Sequence, residues 1–345
     1  VHFVSDNAGP VPERILQAIS AVNTGHAMPY GNDAVTQAVA GRLQQVFEAP
    51  DARIYLVNSG TAANALALAS LTGNSGRIFC HDAAHIQVDE QGAAEFYRRG
   101  AKLTPVGGAG GKIDSAELDA ALKSGSGGAG DVLSLTQLTE AGTLYHLDAQ
   151  RTLTRMAKKR HMRCHMDGAR FANALVAHGC SAADMTWKSG VDALSFGGTK
   201  NGLLGVEAVI FFDPELAVEF EENRLRGGHM ISKQRFMAAQ YDAYLTDGFW
   251  LELAGKANAA AACLENGLSA LPFNSFTHKR AANMVFVTWP AAQHKKAHKA
   301  GAEYYVESDL DLSNTHDDTQ LTARLVCNWA TTTQSIQEFL NIFKA

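Results

Sequence analysis

The sequence predicts an α/β fold: a large, mostly parallel sheet covered by helices, followed by a small C-terminal α+β domain. Three observations support this. Helix-like and strand-like segments alternate from about residue 11 to residue 213, the pattern left by strands joined through crossover helices. After about Asp213 the pattern changes to long helical stretches, then short strands separated by turn residues. Glycine is frequent, at 31 residues, and the helix-like segments are rich in alanine, which suits closely packed layers.

The elements follow in order. Val11 to Ala21 and Ala34 to Phe47 have the periodicity of amphipathic helices. Ile54 to Val57 is a strand that runs through Asn58-Ser59-Gly60 into a helix from about Thr61. Arg77 to Cys80 is the next strand, then a helix over Glu90 to Arg99 and a strand over Lys102 to Val106. Ser115 to Leu122 is helical, with Asp114 as N-cap and Glu117 completing a capping-box pattern. A loop of small residues, 124–130, leads to a strand over Asp131 to Thr136 and a helix over Leu147 to Lys159. Strands ending at Asp167 and Phe196, and the stretch Ala208 to Phe212, complete the series. Helices are expected over Glu215 to Leu225, Met230 to Leu245 and Phe249 to Leu271. Strands over Asn283 to Thr288, Glu303 to Val306 and Ala323 to Cys327, then a helix over Thr333 to Phe343, build the small domain. The expected division is 1–247 and 248–345.

Composition narrows the function classes. The chain has 345 residues, 46% of them hydrophobic, and a formal net charge of -5. No basic stripe points to nucleic acid. The longest apolar runs are too short to span a bilayer. The first residues lack the basic and apolar regions of an export signal, so a cytoplasmic protein is expected. The five cysteines are odd in number and scattered, which fits buried free thiols rather than a disulfide framework or a metal site.

The chemistry concentrates at strand ends, where open α/β sheets place ligands. Lys200, in Phe196-Gly197-Gly198-Thr199-Lys200-Asn201-Gly202, lies 33 residues after Asp167, in Met166-Asp167-Gly168-Ala169-Arg170. A lysine amine able to form a Schiff base and an aspartate able to keep a pyridine nitrogen protonated are the parts a pyridoxal phosphate (PLP) enzyme needs. Gly197 and Gly198 would let backbone approach a ligand. Taken alone, Lys200 also fits a surface lysine, and Asp167 with Arg170 a helix N-cap followed by an arginine one turn on. Ser59-Gly60-Thr61 opens a helix after a strand and offers N–H groups and hydroxyls to a phosphate, although such turns are common. His85 fits a solvated loop or a core histidine as well as an imidazole lying on a flat cofactor and acting as a base. Arg324, between Ala323 and Leu325 on an expected strand, could point to solvent or clamp a carboxylate.

Assembled in this order, the segments resemble the low-specificity L-threonine aldolase family, enzymes of the aspartate aminotransferase-like PLP fold (fold type I). The resemblance runs through Ser5-Asp6-Asn7, Tyr30-Gly31-Asn32-Asp33, Ser59-Gly60-Thr61-Ala62-Ala63-Asn64 and Ala84-His85-Ile86 with Asp89-Glu90. It continues through Thr136-Gln137-Leu138-Thr139-Glu140-Ala141-Gly142-Thr143, the Asp167 and Lys200 segments, Ser232-Lys233-Gln234-Arg235-Phe236 and Arg324-Leu325-Val326-Cys327-Asn328-Trp329. It implies a seven-stranded sheet in the large domain and PLP held covalently by Lys200. It further implies Asp167 on the pyridine nitrogen, His85 on the ring, and Ser59, Gly60 and Thr61 on the phosphate. Ser5, Arg170 and Arg324 would bind the substrate carboxylate, with Tyr30 also on the substrate and Arg170 near the cofactor. Lys233 would reach a neighbouring subunit's phosphate in a homotetramer. One departure stands out: the family's acidic-Asp-Pro pattern after the tyrosine is Gly31-Asn32-Asp33-Ala34 here.

The implied reaction is retro-aldol cleavage of L-threonine, L-allo-threonine or L-phenylserine to glycine and an aldehyde, with His85 as base directly or through water. Two alternatives stay open on sequence: another PLP lyase or aminotransferase of this fold, and a PLP-free binding protein.

Overall fold

The computed structural model describes residues 1–125, 128–307 and 310–344. The expected loop over 124–130 therefore includes two residues, 126 and 127, outside the described ones.

A seven-stranded sheet organises the large domain. Its strands are β1 (Arg53–Val57), β2 (Arg77–His81), β3 (Lys102–Val106), β4 (Val132–Thr136), β5 (Arg163–Gly168), β6 (Ala193–Phe196) and β7 (Glu207–Phe211). Their order is β1-β7-β6-β5-β4-β2-β3. All pairings are parallel except the two made by β7, which runs antiparallel to β1 and β6. Alternate residues divide between the two faces of the sheet, as a pleat requires, with a further cluster around Phe79, Leu133, Leu135 and Cys164. Leu194 and Ile210 lie on one face, with helices Ala34–Val46 and Arg235–Leu245, while Ala193 and Val209 lie on the other. That second core is built on the helix Gly60–Leu71, whose residues from Ala62 to Ala69, and Leu71, are buried. It shows no apolar stripe because it is covered all round, by the sheet and by helices Ala93–Tyr97 and Val218–Arg226.

A four-stranded antiparallel sheet forms the small domain: β8 (Ser275–Phe276), β9 (Met284–Pro290), β10 (Tyr305–Glu307) and β11 (Gln320–Val326), in the order β10-β11-β9-β8. The helix Phe249–Ser269 joins the two cores. Trp250, Leu253 and Ala254 pack in the large one, and Ala260, Ala261, Leu264 and Leu268 in the small one. The first residues of the chain also belong to the small core by packing. The Phe3 N–H donates to the Glu303 carbonyl at 2.7 Å, the Val326 N–H donates to the Phe3 carbonyl at 2.9 Å, and the Phe3 ring lies 5.0 Å from that of Phe339.

Several local expectations change. The helix expected over Glu90 to Arg99 is only Ala93–Tyr97, because Gly92 at φ +71° separates it from a single turn, His85–Val88. The helix expected from Met230 starts at Arg235. Asp114 caps its helix, accepting from Ala116 N and Glu117 N, but its own N–H donates to the Gly107 carbonyl, so the Glu117 half of the capping box is not made. The helix Ala291–Lys299 was not anticipated. Its buried face is Ala291, His294 and Ala297, and a stripe with histidine at its centre escapes an apolar count. Cys80, Cys164 and Cys327 are buried thiols, whereas Cys180 is half-buried and Cys263 exposed.

The glycines after β6 lie against neighbouring backbone. A Cβ at Gly197 would lie 2.2 Å from the Ala169 carbonyl oxygen, and one at Gly198 would lie 2.6 Å from that of Val206. They let the chain close on its own backbone, pressing the end of β6 against the end of β5. Gly197→Ala should therefore lower stability by roughly 1–3 kcal/mol, the usual cost of overpacking. Urea unfolding checks this; an unchanged midpoint would mean the strand ends have slack.

Candidate active site

The carboxyl ends of β1, β2, β5 and β6 and the start of antiparallel β7 converge on one cavity of ≈ 290 Å³. It is lined by Asn7, Asn58, Ser59, Gly60, Thr61, Asn64, His85, Glu90, Asp167, Ala169, Thr199, Lys200 and Glu207. Lys200 sits in a 3₁₀ turn, Thr199–Asn201, closed by Gly202 at φ +110°. The turn is held from below: the Gly198 N–H donates to Glu207 Oε2 at 2.6 Å, and Asn201 Nδ2 donates to the Tyr244 hydroxyl and the Trp250 carbonyl. Burial raises the Glu207 carboxyl above its usual range.

Asp167 is a strand residue and not a helix cap. It lies within β5, and Arg170 takes the cap position of the helix Phe171–His178. Asp167 Oδ1 accepts from the Ala169 N–H at 3.0 Å. Its Oδ2 accepts from Asn64 Nδ2 at 2.9 Å, and the same amide donates to Glu90 Oε1 at 2.9 Å. An amide nitrogen carries two hydrogens, so Asn64 can bridge the two carboxylates. Glu90 Oε1 is also 2.8 Å from His85 Nδ1.

The His85–Glu90 contact sets the imidazole. Its hydrogen bond to Glu90 raises the His85 pKa above the ordinary value; burial opposes this, and the charges of Asp167 and Glu90 add to it. The Glu90 carboxyl is raised as well, by burial first. The ring is the more exposed partner, at 30% against 1%, so it carries charge at lower cost. The bond places a proton on Nδ1 and leaves Nε2 as the free nitrogen.

Anion-binding features sit at the other end of the cavity. Ser59 caps the helix Gly60–Leu71 by accepting from the Ala62 N–H, and the Ala63 N–H donates to the Ser59 carbonyl. Among the described residues the N–H groups of Gly60 and Thr61 have no acceptor. Two free N–H groups and a hydroxyl at a helix N-terminus suit a phosphate. The Lys200 amine, the Asp167 carboxylate and this phosphate cradle, all on one cavity, fit PLP. Asn64 Oδ1 and Glu90 Oε2 are further buried oxygens without a partner.

The remaining expected residues lie outside this cavity lining. Arg170 is buried and already paired: Nε and Nη2 donate to Asp6 at 2.7 and 3.0 Å. Asn283 Nδ2 donates to the same Asp6 at 3.1 Å. Burial alone would raise the Asp6 carboxyl, but the charges of Arg170 and Lys200 hold it below its usual range. Arg324, on β11, does not point to solvent; its side chain is 19% exposed. Its contacts are long: the Val4 carbonyl at 3.5 Å, Met284 Sδ at 4.0 Å and Glu140 Oε2 at 3.9 Å. Burial and the like charge of Arg170 lower its pKa. Ser5 is half-buried and its hydroxyl accepts from the Asn7 N–H. Tyr30 and Lys233 are exposed, and their segments meet through the Tyr30 N–H donating to the Ser232 carbonyl. Tyr30 has φ +61°.

Sequence reasoning did not assign Asp6, Asn64, Glu90, Glu140, Glu207 or Asn283. Asn64 lies one helical turn past Gly60, and Glu90 five residues past His85, so spacing alone could have raised those two. Asp6 and Asn283 offered no such signal, since Asp6 lies 164 residues from its partner Arg170 and 277 from its partner Asn283.

A family model described as Beta-eliminating lyase matches residues 2–291. The low specificity L-threonine aldolase of Pseudomonas sp. (strain NCIMB 10558) is 34% identical over 339 residues, 97% of this chain and 95% of that protein. A low specificity L-threonine aldolase of Pseudomonas aeruginosa is 35% identical over the same shares. Among solved structures, a threonine aldolase of Leishmania major superposes with a TM-score of 0.91 at 23% identity, covering 99% of this chain and 98% of that one. A putative L-allo-threonine aldolase of Listeria monocytogenes gives 0.76 at 15%, covering 99% and 95%. These two structural likenesses bear on the fold.

Two outcomes follow from the geometry. Glu90→Gln removes the carboxylate that raises His85, so its imidazole should titrate at lower pH; NMR titration of the His85 ring reads this, and an unmoved curve would exclude the coupling. Asp6→Asn leaves the Arg170 charge buried without its partner and should cost about 3–5 kcal/mol. Denaturant unfolding measures that, and a loss below about 1 kcal/mol would mean the pair behaves like a surface one.

Proposed function

This chain belongs to the beta-eliminating lyase family, and we propose that it is a PLP-dependent aldolase. It cleaves L-threonine, L-allo-threonine and L-phenylserine to glycine and an aldehyde. The observation that carries the reading is the single cavity holding the Lys200 amine, the Asp167 carboxylate and the free N–H groups of Gly60 and Thr61.

Lys200 would hold the cofactor covalently, Asp167 would keep the proton on its pyridine nitrogen, Ser59, Gly60 and Thr61 would hold its phosphate, and His85 would bear on its ring. When bound, PLP supplies the electron sink that accepts the pair released as the Cα–Cβ bond breaks. Arg324, short of close partners, takes the substrate carboxylate, aided by the Ser5 hydroxyl and by the part of Arg170 not closed on Asp6. Tyr30 bears on the substrate side chain. His85 Nε2 takes the β-hydroxyl proton, directly or through water, as the C–O bond becomes a carbonyl and the aldehyde leaves. A proton added at Cα completes glycine. The raised His85 pKa implies that the base form is lost already above the ordinary imidazole value as pH falls.

A homotetramer is part of this proposal. Lys233 and Tyr30 are exposed on adjoining segments outside the lining of the chain's own cavity, where Lys233 can serve a neighbour's phosphate and Tyr30 a neighbour's substrate. No described helix is long and apolar enough to cross a membrane. Free thiols at all five cysteines support a cytoplasmic setting.

Lys200→Ala should abolish acetaldehyde release from L-threonine while leaving the fold intact. Retained turnover would remove Lys200 from its role, and keto acid formation by the unaltered enzyme in place of aldehyde would favour an aminotransferase. Arg324→Ala should cost on the order of 2–5 kcal/mol in kcat/KM for threonine, the range for losing one partner of a desolvated charge pair. An amino alcohol lacking the carboxylate is the control; an equal loss on both would exclude Arg324 as the clamp.

A further inference from the structure

The arginines that face the substrate carboxylate are not alone. Glu140 lies between them, on the loop from β4 to the helix Leu147–Lys158. Its Oε2 is 3.8 Å from Arg170 Nη1 and 3.9 Å from Arg324 Nη2. Charge-assisted hydrogen bonds are about 2.7–2.9 Å long, so one oxygen is shared loosely by two guanidinium groups and bonded closely to neither. The other carboxylate of the cluster is different. Asp6 is 2% exposed and held at hydrogen-bond distance by Arg170 and Asn283.

Among the four side chains in direct ion-pair contact the charges are already balanced, with Lys200 acting on Asp6 and Glu140 from further off. Arg170 and Arg324 carry two positive charges, and Asp6 and Glu140 two negative ones. An entering carboxylate would add an uncompensated negative charge to a largely dehydrated site, which is costly. One of the resident carboxylates must give way, and only Glu140 is free to do so. Its side chain is 19% exposed and its contacts are long. Its backbone need not move. The turn is fixed by the Thr139 N–H to the Thr143 carbonyl at 3.0 Å and the Gly142 N–H to the Thr139 carbonyl at 2.8 Å. Gly142, at φ +70°, packs that turn on β9, where a Cβ would lie 3.1 Å from Met284 Cβ. Rotation of the Glu140 side chain is enough to clear the position.

We propose that Glu140 is an exchangeable counter-ion: it holds the carboxylate position between Arg170 and Arg324 until the substrate carboxylate displaces it, and so sets how tightly any amino acid binds. This deepens the aldolase reading and rests on it. The Arg170 and Lys200 charges keep Glu140 ionised against the effect of its burial, as a counter-ion must be. Glu140 thus acts against ligand affinity, the reverse of Arg324, and removing its charge should help binding.

The test is glycine affinity of the PLP-loaded protein, measured by calorimetry, for the natural chain, Glu140→Gln, Glu140→Asp, Arg324→Ala and the double variant Glu140→Gln with Arg324→Ala. Glu140→Gln should bind glycine about tenfold more tightly, equivalent to roughly 1.4 kcal/mol. Glu140→Asp, which keeps the charge on a shorter arm, should fall between. The gain should vanish when Arg324→Ala is combined with Glu140→Gln, because the position being freed no longer has its guanidinium. Unchanged or weaker glycine binding in Glu140→Gln would overturn the proposal, as would an equal gain in the double variant. A natural chain that neither binds glycine nor cleaves threonine would sink the aldolase reading and this inference together. A natural chain that does both, with no gain in Glu140→Gln, would sink the inference alone.

Discussion

The buried pair of Asp6 and Arg170 is the constraint on which the site's assembly rests. It joins three distant parts of the chain: the N-terminal segment, the stretch just after β5, and Asn283 at the start of β9. Two charges taken from water must meet in good geometry, and a displaced partner would leave a charge buried and uncompensated. The pair is therefore best understood as fixing position and not as a source of stability. The N-terminal segment is anchored in the small domain through Phe3 and reaches the large domain through Asp6. Its Asn7 lines the cavity.

The large sheet supplies the other half of the arrangement. Parallel strands deliver their carboxyl ends to one edge, and the single reversed strand, β7, brings Glu207 to that edge from its start. Close approach of the β5 and β6 ends, possible only with glycine at 197, puts Asp167 and Lys200 on the same cavity. Asn64 then ties Asp167 to Glu90, and Glu90 to His85, so that the orientation of the imidazole depends on a helix that begins at the phosphate cradle. On the proposed roles of Asp167 and His85, cofactor binding and base orientation share one polar network.

Much of this was legible in the sequence because it is local. Strand ends carrying Asp167, Lys200 and the Ser59-Gly60-Thr61 turn are visible as short apolar runs followed by particular residues, and the structure brings those residues to one cavity. The seven-stranded sheet and the small antiparallel one follow the expected alternation. What was not legible is non-local or offset by packing. Asp6 stands 164 residues from Arg170, and no periodicity links them. The reach of Glu140 to two arginines arises only when the small sheet is docked. Gly197 and Gly198 read locally as room for a ligand, and their close contacts with the backbone of Ala169 and Val206 were not visible. The helix Ala291–Lys299 hides its buried face behind a histidine.

The central claim is that one cavity holds PLP through the amine of Lys200. Borohydride reduction of the purified, PLP-loaded protein, followed by peptide mass mapping, tests it most directly. The account predicts a pyridoxyl mass increment on the peptide containing Lys200 and on no other lysine peptide. An unmodified Lys200, with the increment elsewhere or absent, would contradict it.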